Sequence, residues 1–219
     1  MNSTCVEIKV VGASNMWVTA PYFNCPQGLL DVMEKIANGA MPEPATFAAF
    51  NDLVRDELAT VVTESARQLD HIWHQRADTG CFPLASCFID DCMAKGMDFD
   101  RGGARYNWVE NSFVGLANLV DGLIAVKRLV YDSEEISIGE FRELLRNDFE
   151  GQEPLRLRIL NRLPSYGNGD AEADALAAEW AEILEDTTES HVVGLHTYVP
   201  GFFCWVMHER FGRETGATP

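Results

Sequence analysis

The 219-residue sequence is short of positive charge: 17 Lys and Arg stand against 34 Asp and Glu, a formal net charge of -17. Such a chain repels phosphate backbones and anionic membrane surfaces, which argues against a nucleic-acid partner. It also lacks any run near the roughly 20 apolar residues a spanning helix requires, and its start lacks a basic region followed by an apolar one. The expectation is a cytoplasmic protein with no membrane role. No Cys-x-x-Cys or Glu-x-x-His word occurs. His71 and His74, at i, i+3 on a predicted helix, therefore read as surface or packing residues, and no metal site is expected. Repeats and low-complexity linkers are absent as well.

What is present is enough chain to bury one sizeable core, either as one domain or as a piece of something larger. Six cysteines (Cys5, Cys25, Cys81, Cys87, Cys92 and Cys204) without a secretion signal read as thiols rather than as a disulfide framework. Near the start, Cys5 and Glu7 flank Val6. If this segment is extended, alternation turns the thiol and the carboxylate to one face, where a hydrogen-transfer sulfur and a base could meet one substrate.

Periodicity predicts a strand over Ile8–Val11 and a helix over Gln27–Asn38 ended by Gly39. A long helical region over Pro44–Ala77 has room for a break, and a short helix over Phe82–Lys95 is closed by Gly96. Tyr106–Trp108 reads as strand or loop, and Ser112–Val130 as an apolar helix in which Asn118 and Asp121 are buried hydrogen-bonding exceptions. Ser137 and Glu140 form a capping box that starts a helix running to Phe149. Helices over Glu153–Leu163 and Asp170–Asp186 flank a turn at Tyr166–Gly169, and His196–Met207 reads as extended. Helices alternating with short apolar strands indicate an α/β architecture.

A series of short words, taken in order, resembles the glycyl radical enzymes of the pyruvate formate-lyase-like superfamily. Thr4-Cys5-Val6-Glu7 is similar to that family's Gly-Cys-Val-Glu loop with Thr4 in place of glycine, and Trp17 and Asn24 continue the match. The resemblance is strongest at Asp91-Cys92, at Lys95-Gly96, at Gly102-Gly103-Ala104-Arg105-Tyr106-Asn107 and at Val114-Gly115-Leu116-Ala117-Asn118-Leu119-Val120-Asp121. Lys127, Leu129-Val130, Ile136-Ser137, Phe149-Glu150-Gly151, Pro164-Ser165-Tyr166-Gly167-Asn168 and Thr215-Gly216-Ala217-Thr218-Pro219 extend it over nearly the whole chain.

The resemblance implies that residues 1–219 are a fragment of an alternating α/β barrel with surrounding helices, with the thiyl loop in residues 1–20 and further barrel strands and helices in 21–219. By that match Cys5 is the thiyl radical site and Glu7 the base. The implied activity is that of a radical lyase or dehydratase, cleaving C-O, C-N or C-C bonds in a small substrate under anaerobic conditions. No cofactor is expected in this chain. The family's radical glycine lies in an Arg-Val-x-Gly word that does not occur here, so it is expected on a downstream segment, installed by a radical S-adenosylmethionine activating enzyme. The complete protein is expected to be a homodimer, and the isolated fragment inactive.

Departures from the family pattern shape the expected pocket. The adjacent cysteine pair of the pyruvate formate-lyases proper is replaced by Cys5-Val6, which disfavours acyl transfer and leaves it as an alternative. Thr19 follows Trp17 where dehydratases often carry a polar residue, and Trp108, Glu110 and Phe113 follow Tyr106-Asn107 where many have a Thr-Gly-Pro-Gln-like stretch. The candidate substrate-binding set is therefore Trp17, Thr19, Tyr106, Asn107 and Glu110. A non-catalytic truncated relative serving as an interaction domain is the competing class.

Overall fold

A computed structural model describes residues 9–15, 21–190, 192–193, 196–202 and 207–216 of the chain. They form two compact units, one from the described residues of 1–23, 60–113 and 184–205, the other from those of 24–59, 114–183 and 206–219.

In chain order the elements are β1 (Tyr22–Asn24), α1 (Cys25–Ala37), α2 (Phe47–Thr79), α3 (Pro83–Ser86), α4 (Cys92–Lys95), β2 (Trp108–Val114), α5 (Leu116–Val126), α6 (Ile138–Arg146), α7 (Glu153–Arg162), α8 (Ala171–Glu189), β3 (Val192–Val193), β4 (His196–Gly201) and α9 (Met207–Thr215). The strands form one sheet in the order β1-β2-β4-β3, in which β2 and β4 are parallel and β3 and β4 antiparallel. Parallel neighbours joined through intervening helices are the hallmark of α/β construction, as the sequence pattern indicated.

In the first unit, the second half of α2 covers one face of the sheet. Ala66 and Trp73 pack with Val109 of β2 and Tyr198 of β4, and the Tyr198 hydroxyl donates to the Ala66 carbonyl at 3.2 Å. In the second unit, α1 packs on α5 and α6. Gly122 of α5 makes this approach possible, because a Cβ there would meet Leu29 Cδ2 of α1 at 2.7 Å. Val120 and Ile124 of α5 pack with Ala173 and Ala177 of α8, and the Trp180 indole N-H donates to Asn51 Oδ1 at 3.0 Å.

Several local expectations hold. The capping box of Ser137 and Glu140 is formed, and Gly167 and Gly169 take positive φ in the turn before α8. The first helix begins at Cys25, with proline in its first turn, two residues before the expected Gln27. The long helix α2 runs 33 residues without a break, burying Phe50, Val54, Leu58, Val62, Ala66 and Trp73 along one stripe.

Other expectations are corrected. Of the predicted Ile8–Val11 strand, Ile8 lies outside the described residues, and the Val10 carbonyl instead closes a turn by accepting from the N-H groups of Ala13 and Ser14. The predicted helix over Phe82–Lys95 is two single turns, because Asp91 adopts φ +73° between them. Ser112–Val114 belongs to β2 rather than to a helix. Gly115, at φ +82°, reverses the chain before α5 begins at Leu116.

α6 ends at Arg146, with Asp148 and Phe149 both at positive φ. Beyond Gly201 the described chain resumes as helix α9, where an extended stretch had been expected to Met207. Asn118 is exposed rather than buried. Asp121 is half-buried and accepts the Tyr166 N-H at 2.8 Å, so it ties the turn before α8 to α5; burial raises its carboxyl pKa.

Candidate functional site

Cys5, Glu7, Trp17 and Thr19 lie outside the described residues. Residues 9–15, between Glu7 and Trp17, are described. The Asn15 N-H donates to the Tyr106 carbonyl and the Tyr106 N-H to the Ala13 carbonyl, both at 3.0 Å, so that Ser14 lies parallel beside Tyr106. The Asn15 side chain extends this contact in both directions, donating to the Trp108 carbonyl and accepting the Trp108 N-H, each at 3.2 Å. One buried amide thus fixes the chain that follows Cys5 and Glu7 against the entrance of β2.

Strand parity then sorts the candidates. Val109 packs with Trp73 on the helix-covered face, and Asn111 donates to the Thr188 hydroxyl at 3.4 Å on that same face. Tyr106, Trp108 and Glu110 alternate with these residues and point the other way. In β4 the parallel register sets Thr197 beside Trp108, Val199 beside Glu110 and Gly201 beside Ser112. The Tyr106 and Trp108 rings stack with centroids 5.0 Å apart at 30°. The Glu110 carboxylate lies against Gly201, where a Cβ would displace it.

Asn107 does not join that face. Its amide donates to the carbonyls of Ala104 at 3.0 Å and Gly102 at 3.4 Å, closing the loop that leads into β2. Phe113, another bulky residue of the stretch, stacks on Phe23 with centroids 5.3 Å apart and has the opposite parity to Trp108. The face is shared instead by Trp108, Val199 and Gly201, which sequence reasoning did not group with Tyr106 and Glu110. Parity would have found Trp108 once the strand was recognised; the β4 residues needed the pairing.

The remaining motif residues hold this loop in place. Arg105 pairs with Asp91 at 3.0 Å and Asp90 at 3.3 Å, and Lys95 donates to the Ala104 carbonyl at 3.2 Å. The hydrogen bond from Arg105 holds the Asp91 carboxyl below the usual range. Gly103 has no room for a side chain, because a Cβ would sit 2.9 Å from the Asp98 carbonyl and closer still to the Met97 backbone. Burial would raise the Asp98 carboxyl, but hydrogen bonds from the N-H groups of Asp100 and Phe82 and the Ser86 hydroxyl hold it below its usual value.

The other thiols and imidazoles offer less chemistry. Burial pushes the Cys25 thiol up to about 12 and raises Cys92, which packs with Ile89, Phe99 and Ala104, so neither is a ready nucleophile. Cys81 and Cys87 are exposed. His71 and His74 are exposed on α2, bonded to Gln75 and the Asp70 carbonyl, and among the described residues no cluster of three metal-ligating side chains exists.

The family model described as pyruvate formate lyase-like matches residues 1–211. This chain belongs to that family. The glycyl radical enzyme superfamily to which the sequence words pointed is therefore the one found, and the fold is part of that superfamily's α/β barrel.

Trans-4-hydroxy-L-proline dehydratase of Clostridioides difficile is 34% identical over 236 aligned positions, covering 99% of this chain and 29% of that protein. Isethionate sulfite-lyase of Nitratidesulfovibrio vulgaris is 32% identical over 146 positions, covering 63% of this chain and 17% of that protein. Among solved structures, one describing 1,2-propanediol dehydration in Roseburia inulinivorans superposes with a TM-score of 0.86 at 28% identity, covering 100% of this chain and 30% of its own. This pyruvate formate lyase-like chain spans less than a third of the length of each of these relatives.

Proposed function

We propose that this chain is the thiyl-loop portion of a glycyl radical lyase or dehydratase, with Cys5 as the thiyl residue and Glu7 as the base. In this reading the Cys5 sulfur radical takes a hydrogen atom from a substrate carbon, leaving a thiol and a carbon radical. Glu7 takes the proton of the hydroxyl on that carbon, and the neighbouring carbon releases its substituent with the bonding electrons. The product radical then takes the hydrogen atom back from Cys5 and restores the sulfur radical. A carboxylate sheltered from water has its pKa raised toward the working pH, which suits it to this transfer.

The observation that carries the reading is the seam at Asn15. The chain that follows Cys5 and Glu7 is hydrogen-bonded to the strand whose far face bears Tyr106, Trp108 and Glu110. That seam supports placing the thiol, the base and this face around one substrate. The relatives' names, two dehydration activities and a sulfite-lyase, support release of a leaving group from a substrate carbon.

The radical glycine belongs, in this proposal, to a segment other than these residues and is formed by a separate radical S-adenosylmethionine enzyme. The working form is a cytoplasmic homodimer, and residues 1–219 alone are inactive. The test uses the full-length protein, activated anaerobically and followed by electron paramagnetic resonance and substrate consumption. Cys5→Ser should keep the glycyl doublet and lose turnover, because oxygen does not relay the hydrogen atom as sulfur does. Turnover persisting in that variant overturns the assignment.

A further inference from the structure

We propose that the groove between α6 and α7 is a docking site for a basic amphipathic helix of a partner protein. The groove has a volume of about 670 Å³ and is lined by residues of α6 and of the start of α7, with Ala37, the last residue of α1, beside them.

Its apolar surface comes from Ile136, Leu144 and Leu155. The α7 wall belongs to a helix that nothing covers. It carries Leu155, Leu157, Ile159 and Leu160, yet none of its residues is buried, and Leu157 and Leu160 are exposed at i, i+3. In α6, by contrast, Ile138 and Phe141 are buried. Apolar surface left open within a polar rim marks a place for another protein. Both walls are helices, whose backbone groups are paired internally, so no strand edge is offered. A partner must therefore engage through side chains, which favours a helix laid in the groove over an added strand.

Charge states what kind of helix fits. Glu135, Glu140, Glu143 and Glu150 line the groove, and among the described residues no lysine or arginine does. At its edge Arg158 pairs with Glu135 at 2.6 Å and Arg146 pairs with Glu143. Glu140 accepts from the Ser137 N-H and hydroxyl, both at 2.8 Å, and these bonds hold its carboxyl below the usual range, so it is ionised at neutral pH. Among the described residues no cation pairs with Glu140 or Glu150. An apolar or acidic segment laid over these carboxylates would strip their water without replacing it. A helix with aliphatic side chains on one face and Lys or Arg along its borders meets both the leucines and the carboxylates.

The test uses the full-length protein and a fluorescently labelled peptide of Leu and Lys at amphipathic helical spacing, with a Leu and Glu peptide of the same spacing for comparison. Fluorescence anisotropy should show that the Lys peptide binds, more weakly as salt rises, and that the Glu peptide does not. Glu143→Gln with Glu150→Gln should weaken the Lys peptide about tenfold. Glu179→Gln with Glu182→Gln, exposed on α8 and equal in charge lost, should leave its affinity unchanged. Gly139→Met fills the groove without changing charge. The Cβ position of Gly139 stands 3.9 Å from the Ala37 Cα, an ordinary contact, and methionine suits a helix better than glycine, so folding is not at stake. This variant should weaken the Lys peptide as well. No binding of the Lys peptide to the full-length protein, the result if the rest of the polypeptide or a second copy fills the groove, overturns the proposal. Equal losses in the groove and α8 variants overturn it too, because they would show attraction to the net charge of -17 alone.

Discussion

The Trp73 indole and the His196 imidazole stack with ring centroids 4.2 Å apart, joining α2 to the first residue of β4. Burial is the main reason that the His196 pKa falls to about 4, with Lys9, His74 and Arg76 adding to the effect and Asp70 opposing it. The imidazole is therefore neutral in the folded protein near pH 7.

A pH dependence follows with a definite sign. The unfolded chain takes up the His196 proton near pH 6.5 and the folded chain near 4, so the unfolded state binds more protons between these values. Stability should be full above about pH 6.5 and fall by up to roughly 3 kcal/mol as the pH drops to about 4. Hydrogen exchange of the β4 amides in the full-length protein reads this directly. His196→Phe, which keeps the stack without the proton, should flatten the dependence, and a slope unchanged in that variant would assign it elsewhere.

Arg76 lies over the Trp73 ring at 4.9 Å and pairs at 3.0 Å with Asp100, whose residue is 1% exposed. Burial raises the Asp100 carboxyl and Arg76 draws it back down. Arg76→Met leaves a buried carboxylate without its counter-charge and should cost about 3–5 kcal/mol. The double change Arg76→Met with Asp100→Leu should recover most of that loss. A double-mutant cycle by denaturant unfolding measures both, and additive losses would show that the pair is not coupled.

Gly103→Ala should destabilise the loop before β2 by about 1–3 kcal/mol, since the new methyl meets backbone atoms of Met97 and Asp98 that cannot rotate away. Gly39→Ala offers a control, because no atom lies within 4 Å of its Cβ position and only its positive φ opposes the change. Protease susceptibility around Asp98–Tyr106 should rise for the first and not for the second.

Glu7→Gln in the activated full-length enzyme preserves shape and removes basicity. Turnover should drop by roughly 10²- to 10⁴-fold, the contribution typical of a general base. The glycyl radical doublet should be unchanged, and an unaltered rate would make Glu7 a bystander.

What the sequence by itself determined is whatever depends on neighbours along the chain or on the identity of short words. The capping box of Ser137 and Glu140, the amphipathic stripes of α1 and α2 and the turn before α8 are all set within a few residues. So is the order of motifs that placed the chain in its family. The roles of Gly103, Asp91, Lys95 and Arg105 as mutual supports could not be read this way, because their contacts cross a loop.

Only the tertiary structure decided the strand and its faces. Trp108–Val114 carries no clean alternation, since Val109 and four consecutive residues from Asn111 are buried, and Ser112–Val114 merged with the apolar helix that follows. Strand character there comes from pairing with β4, whose partners are nearly 90 positions away in the register Trp108 to Thr197. That pairing separates Tyr106 and Glu110 from Asn107. A shift of one residue would have exchanged their faces, and the physical reason is that side-chain direction in a strand has a period of two.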